Sequence, residues 1–253
     1  MDYLKNKHSD SRDEAISLDE ATHIYTVNNQ TDYTSVTTFV HSHFSEFDTE
    51  QIITNMMNGK NWSKSKYYNM TRDEIKNMWE NNRNEAAEAG TKLHLDIEKH
   101  FNNVKVNNKS IEYNQFKKYK AATNYKNPYR TEWTIWDEDH KIAGSIDMIY
   151  ENDDGSLEIC DWKRSKQIFR NKQFEKYAKT ECINHLPDLN FWHYALQLNV
   201  YKSILERKYN KNISKLFLVV FHPTKSDYEI IEIPELEEEI NNLLSIRKLK
   251  LKH

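Results

Sequence analysis

The chain has 253 residues, enough for one sizeable α/β domain, and its 12% aromatic content supplies a core although 30% of the residues are charged. The formal net charge of -3 does not mark a general polyanion binder, although a local basic face is compatible with it. Two cysteines, Cys160 and Cys182, cannot supply the four thiolates of an iron–sulfur cluster, and no apolar run approaches the ~20 residues that span a bilayer.

In chain order, the opening MDYLKNKHSDSRDEA lacks the apolar core of a secretory signal. With Cys160 set inside an apolar run as a reduced thiol, an intracellular protein is expected, cytoplasmic or nuclear. ISLDEATHIYTVNNQTDYTSVTTFV reads as a small hairpin turning at Asn28-Asn29, followed by a helix near Ser35. TRDEIKNMWENNRNEAAEAG opens on a capping box, Thr71 with Glu74, and TKLHLDIEKHF extends it with Leu93, Ile97 and Phe101 on one side. SIEYNQFKKYKAATNY is a further helix, closed near Pro128. YRTEWTIW, KIAGSIDMIYE and SLEICDWK then read as three strands in an antiparallel meander. LNFWHYALQLNVYKSILERKY is a long amphipathic helix, KLFLVVFHP and YEIIEI are strands, and PELEEEINNLLSIRKLKLK is a closing helix. The order implies an α/β fold of α+β character, a mixed central sheet flanked by helices. With no repeat and no Pro/Gly-rich linker, one domain over residues 1–253 is expected: an N-terminal hairpin and helices (1–89), a core (90–222), and a short strand with the C-terminal helix (223–253).

The chemistry concentrates in SLEICDWKRSK. Residues i and i+2 of a strand share a face, so Asp161 and Lys163 point one way and Trp162 the other. If Asp153-Asp154-Gly155 is the preceding loop, with Gly155 left-handed, Asn152 pairs with Ser156 and Asp147 falls opposite Asp161, Cβ atoms roughly 4.5–5.5 Å apart. A loop of two or four residues would put the two acids on opposite faces. Two carboxylates that close repel unless a cation joins them, and a hard divalent ion takes such oxygens. Lys163, on the same face, suits a phosphate oxygen or an attacking water.

GSIDMIY followed by LEICDWKRS resembles the core of the PD-(D/E)XK nuclease superfamily, in its RecB-like, lambda-exonuclease-like branch. GTKLH supplies Gly-x-x-x-His (Gly90, His94), Asp147 matches the first metal-binding acid, Asp161 and Lys163 the (D/E)-x-K pair, and QLNVY the Gln-x-x-x-Tyr of Gln197 and Tyr201. The segments YTSVTTFVHSHFSEFD and WENNRNEAAEAGTKLHLDIEKHF look like the large-DNA-virus members, which would place the protein in host cytoplasm. The resemblance implies a restriction-endonuclease-like core and a Mg²⁺- or Mn²⁺-dependent deoxyribonuclease without an iron–sulfur cluster. By the same resemblance it would act on linear DNA ends in repair or recombination, as a monomer or a homo-oligomer. His94, Asp147, Asp161 and the Trp162 carbonyl would hold the metal, with Glu98, one helical turn from His94, as a further ligand. Asp147, Asp161, Lys163, Gln197 and Tyr201 would form the catalytic set. A structure-specific endonuclease or resolvase, and a DNA-binding module that no longer cuts, share these motifs.

The remaining residues are weighed from their surroundings. Gly90 would let its helix approach the sheet or a phosphate closely. Glu132 in RTEWTIW is read either as a structural partner of Arg130 or as a residue approaching the site, with the structural role favoured. The run KRSKQIFRNKQFEKYAK is read as a DNA-backbone track through Arg164, Lys166, Arg170 and Lys172, joined by Gln197 and Tyr201. His41, His43, His185 and His193 lack metal spacing and are assigned to structure, and Trp192 and Tyr194 to packing of the long helix.

Overall fold

A six-stranded mixed sheet organises the larger part of the chain in the computed structural model, which describes residues 1–171 and 176–252. By its backbone contacts the chain divides into two compact units, one of residues 1–45 with 93–253 and one of residues 46–92. The boundary expected at residue 90 falls inside a helix.

The larger unit begins with helix α1 (Tyr3–Lys7) and the hairpin β1 (Ile16–Asp19) and β2 (Ile24–Val27), in the register Ile16 opposite Val27. The hairpin turns at residues 20–23, where Asp19 Oδ1 accepts from the Ala21 and Thr22 amides, and not at Asn28-Asn29 as its sequence suggests. Asn28 and Asn29 do take positive φ, in a second tight turn that bridges Val27 to Gln30. An aspartate that bonds its own backbone two residues on makes a turn as well as Asn-Asn does. The two-residue strand β3 (Thr34–Ser35) leads into α2 (Val36–His41), whose amide at Thr38 is capped by Ser35.

The smaller unit holds α3 (Thr49–Met57), capped by Asp48, and the first part of α4 (Arg72–Phe101). The Thr71–Glu74 capping box forms in both directions, and Ile53 and Ile75 are fully buried. After α4 and α5 (Ile111–Ala122) come the meander strands β4 (Asn127–Asp137), β5 (Ile142–Glu151) and β6 (Leu157–Arg164). Helix α6 (Asn190–Lys208), β7 (Ile213–Phe221), β8 (Glu229–Glu232) and α7 (Glu237–Lys250) complete the larger unit.

The sheet order is β3-β5-β6-β7-β8, with β4 also on β5. Strand β4 lies along the whole of β5, from Asn127 opposite Glu151 to Asp137 opposite Ile142. The other edge of β5 is therefore shared. Its start takes β3 in parallel at Ile142 and Ala143, and its end takes β6 in antiparallel from Met148 to Glu151. Beyond Cys160, β6 leaves β5 and runs on in parallel beside β7, Asp161 opposite Leu218 and Lys163 opposite Val220. The strands thus fork between Ala143 and Met148.

Apolar clusters cover both faces. One takes Leu157 and Ile159 of β6 with Phe39, Leu196, Tyr201 and Leu243 of the helices. The other takes Cys160 and Trp162 with Leu93, Ile97, Phe101 and Tyr119, the Trp162 ring lying parallel to Phe101. Trp162 thus anchors the face opposite Asp161 and fixes which way β6 presents its charges. Among the described residues no helix is long and apolar enough to cross a membrane.

Candidate active site

The β5–β6 turn sets the site's register. Asn152 donates its amide to the Ser156 carbonyl at 2.8 Å, Gly155 sits at φ 79°, and pairing counts outward from there through Glu151–Leu157 to Met148–Cys160. The next facing positions are Asp147 and Asp161. At that point the ladder has opened, and the Asp147 carboxylate takes the Trp162 amide at 2.9 Å in place of a backbone acceptor. Asp147 is held by the fork itself.

Asp161 is 3% exposed. Lys163 Nζ forms an ion pair with its Oδ2 at 2.7 Å, and that buried oxygen has no further partner among the described residues. Burial, and then the Asp147 charge, push the Asp161 carboxyl up to about 6, with Lys163 and His94 pulling the other way. Burial alone would lower the Lys163 ammonium. The Asp161 and Asp147 carboxylates outweigh it and hold the group above the ordinary lysine value, firmly charged. The ring of Tyr194 lies 4.5 Å from Nζ, so a residue assigned to helix packing also steadies this cation.

Helix α4 brings His94 to the fork, its Nδ1 3.5 Å from Asp147 Oδ2. The third member is Glu132. Ligand atoms of His94, Glu132 and Asp147 all lie within 4.8 Å of one another. On β4, Thr131 faces Met148 and Trp133 faces Ile146, so Glu132 stands opposite Asp147. Three acids therefore occupy facing positions on β4, β5 and β6. Glu132 has φ 44°, a left-handed conformation that costs a non-glycine residue about 1 kcal/mol or more. Its carboxyl accepts from Ser145 Oγ at 3.1 Å. Burial, then Asp147 and Glu98, push its pKa well above the ordinary value.

Of the two readings of Glu132, the favoured one as a partner of Arg130 fails, because Arg130 has another partner, and Glu132 stands beside Asp147 instead. The Arg130 guanidinium pairs with Asp13 at 2.8 Å and lies over the Trp133 ring. Counting the β4–β5 turn as the β5–β6 turn is counted, from Asp137 opposite Ile142, finds Glu132 at once. Glu98 stays outside the three-residue cluster. A Cβ built on Gly90 meets nothing within 4 Å among the described residues, which leaves that side of the helix open.

Glycine is required elsewhere. A Cβ on Gly144, inside the fork, would stand 2.6 Å from Tyr201 Cε1. Tyr201 is 3% exposed, and its hydroxyl receives a hydrogen bond from Gln197 Nε2 at 3.1 Å. Burial raises its pKa well beyond the ordinary value. The phenol is thus the floor of the fork and not a surface group that meets DNA, while Gln197 is half-buried above it.

The basic track divides. Arg164 is taken by Glu112 at 2.7 Å, and Arg170 by the Glu232 carbonyl and the Phe191 ring. Lys166 is exposed, and Lys172 lies outside the described residues. His43 bonds Thr180, His193 bonds Asp188, and His185 approaches Glu239 at 3.2 Å, in keeping with structural roles.

The donor set fits a hard divalent cation: one imidazole, carboxylates from neighbouring strands, a buried Asp161 oxygen whose partner is the Lys163 ammonium, and a half-buried Glu132 whose charged neighbours are acids. No family model matches the sequence, and no curated protein matches it. Among solved structures, the chain is similar to an alkaline exonuclease (LHK-Exo) from Laribacter hongkongensis, with 10% identity, a TM-score of 0.41, and coverage of 87% of this chain and 88% of that one. It is also similar to SSO0001, with 17% identity, a TM-score of 0.37, and coverage of 88% of this chain and 78% of that one.

Proposed function

We propose that the protein is a metal-dependent deoxyribonuclease that hydrolyses phosphodiester bonds at the ends of linear DNA. The observation that carries this reading is the row of acids across three strands, Glu132, Asp147 and Asp161, with His94 and Lys163 at its margins. Carboxylates gathered at a strand fork repel one another and are stable together only around positive charge. One lysine meets part of that need.

In this reading His94, Glu132 and Asp147 would hold Mg²⁺ or Mn²⁺, with Asp161 completing the set. A bound divalent ion lowers the pKa of its water and neutralises charge developing on the phosphate. Lys163, charged and braced by Tyr194, donates to a phosphate oxygen or positions the attacking water, and Asp161 keeps its Nζ at the fork. Asp147 ties the metal site to β6 through the Trp162 amide. Gln197 and Tyr201 close the floor beneath.

Linear duplex and single-stranded DNA, labelled separately at the 5′ and 3′ ends, test the proposal against a closed circle in Mg²⁺, Mn²⁺ or EDTA. Mononucleotides or short oligomers are expected from linear DNA alone, and none in EDTA; the labelled end that is lost first gives the polarity. Cutting of the circle moves the protein to the endonucleases. Binding without cleavage in either metal overturns the hydrolytic reading.

A further inference from the structure

Residues 51–72 contain Lys60, Lys64, Lys66 and Arg72 and no Asp or Glu, in a chain whose net charge is negative. They lie within the unit of residues 46–92, between α3 and the start of α4. After α3 the chain turns at Gly59, makes a short 3-10 turn over Trp62–Lys64, and encloses an open cleft of about 610 Å³. Met56, Gly59, Lys60, Asn61, Trp62 and Lys64 are among its lining residues.

Lys60 and Lys64 are exposed, and neither forms an ion pair among the described residues; the paired acids of this unit, Glu50 and Glu80, are taken by Lys76 and Arg83. The Trp62 indole meets the ring of Tyr68 edge-on at 6.0 Å, and Tyr68 is itself 47% exposed. Beside them Tyr67 is fixed, its hydroxyl receiving the Trp79 indole N–H at 3.0 Å. The cleft therefore joins two cations without ion pairs among the described residues to an indole that meets a second, exposed ring.

We propose that this cleft binds single-stranded nucleic acid, with Lys60 and Lys64 on backbone phosphates and Trp62 against a base. The choice of ligand rests on the nuclease reading; the geometry and charge do not. An indole gains from an unstacked base, whose π-face is free, and gains little from a duplex whose bases are already stacked. Unpaired lysines in a stretch without acids attract the phosphates whatever the base sequence.

The test measures binding of a fluorescein-labelled dT oligomer to the full chain in EDTA, by anisotropy over a range of KCl. Trp62→Ala is expected to weaken binding about tenfold or more and Trp62→Phe far less, while affinity for a blunt duplex changes less than about twofold. The double variant Lys60→Gln/Lys64→Gln is expected to reduce the slope of log K against log salt by about 1.4, at ~0.7 per single-strand phosphate contact. An unchanged slope, or equal losses for single strand and duplex, overturns the assignment. If Trp62→Ala melts early, the lysine variant decides alone, since both side chains are exposed. Binding in EDTA is blind to cleavage. A chain that binds as described and cuts in no metal overturns the nuclease reading and leaves the cleft standing; a chain that cuts while both variants bind normally overturns only the cleft.

Discussion

Asp161→Asn is expected to lower single-turnover cleavage in Mg²⁺ by at least about a thousandfold while DNA binding in EDTA stays within a fewfold of the parent. Metal-borne charge stabilisation at a phosphate amounts to several kcal/mol, and about 4 kcal/mol is a thousandfold in rate. Asparagine keeps the shape of Asp161 but replaces an anionic oxygen by an amide, which neither offers the metal a charge nor anchors Lys163 across 2.7 Å. The binding surface is untouched, so the loss falls on the chemical step. Retention of more than about a tenth of the cleavage rate would remove Asp161 from the mechanism.

Glu132→Gln separates metal binding from that step. Glu132 has acids for neighbours, and its carboxyl is held well above the ordinary 4.5. A metal there competes with the proton more strongly than at an ordinary glutamate, and the variant is expected to need about tenfold or more Mn²⁺ for half-maximal thermal stabilisation and to release fewer protons on binding. In EDTA the folded protein keeps the Glu132 proton after the unfolded chain has lost it. Stability consequently falls as pH rises from 4.5 towards the raised folded value. Glutamine carries no such cost, so its melting temperature gains on the parent as pH rises from about 4.5 to 8. Parallel melting curves would refute a raised, uncompensated Glu132 carboxyl.

The parts of this site that the sequence reveals are those set by local parity. A three-residue turn with Gly155 last places Asp147 opposite Asp161, and i, i+2 spacing puts Lys163 beside it; both follow from counting. The i, i+4 spacing of Gln197 and Tyr201 likewise becomes a hydrogen bond. Glu132 was obscured by a plausible local partner, Arg130, that is claimed instead by Asp13 from 117 residues away. Its positive φ has no sequence signal, since glutamate is not a residue that favours it. The fork needs β3, only two residues long and paired in parallel with a strand more than 100 residues on. Charge runs mislead for the same reason: Glu112 and Glu232, which occupy Arg164 and Arg170, are distant in the chain. Nearest-neighbour chemistry is legible in one dimension, and long-range competition for a cation is not.

Gly144→Ala is expected to destabilise the protein by about 1–3 kcal/mol, the cost of overpacking a filled core, lowering its melting temperature by roughly 2–4 °C per kcal/mol. The new methyl would meet Tyr201 Cε1 at 2.6 Å, Val36 Cγ2 at 3.0 Å and Tyr201 Oη at 3.2 Å. The ring cannot swing outward, because Tyr201 is 3% exposed and its hydroxyl is bonded to Gln197. The tightest contact is with the Tyr201 ring, which makes its share separable from that of Val36. Urea unfolding in EDTA should show that Gly144→Ala keeps most of its cost in Tyr201→Phe, which keeps the ring but frees it from Gln197, and loses most of it in Tyr201→Ala, where the methyl enters vacated space. An equal cost in both backgrounds would place the strain on the backbone or on Val36. The consequence reaches the chemistry through α6: Tyr201 and Tyr194 lie two turns apart on this helix, and Tyr194 is the ring against Lys163. A helix pushed away from Gly144 loosens that contact, so Gly144→Ala should also slow cleavage at saturating metal, and Tyr201→Ala/Gly144→Ala should be no slower than Tyr201→Ala alone.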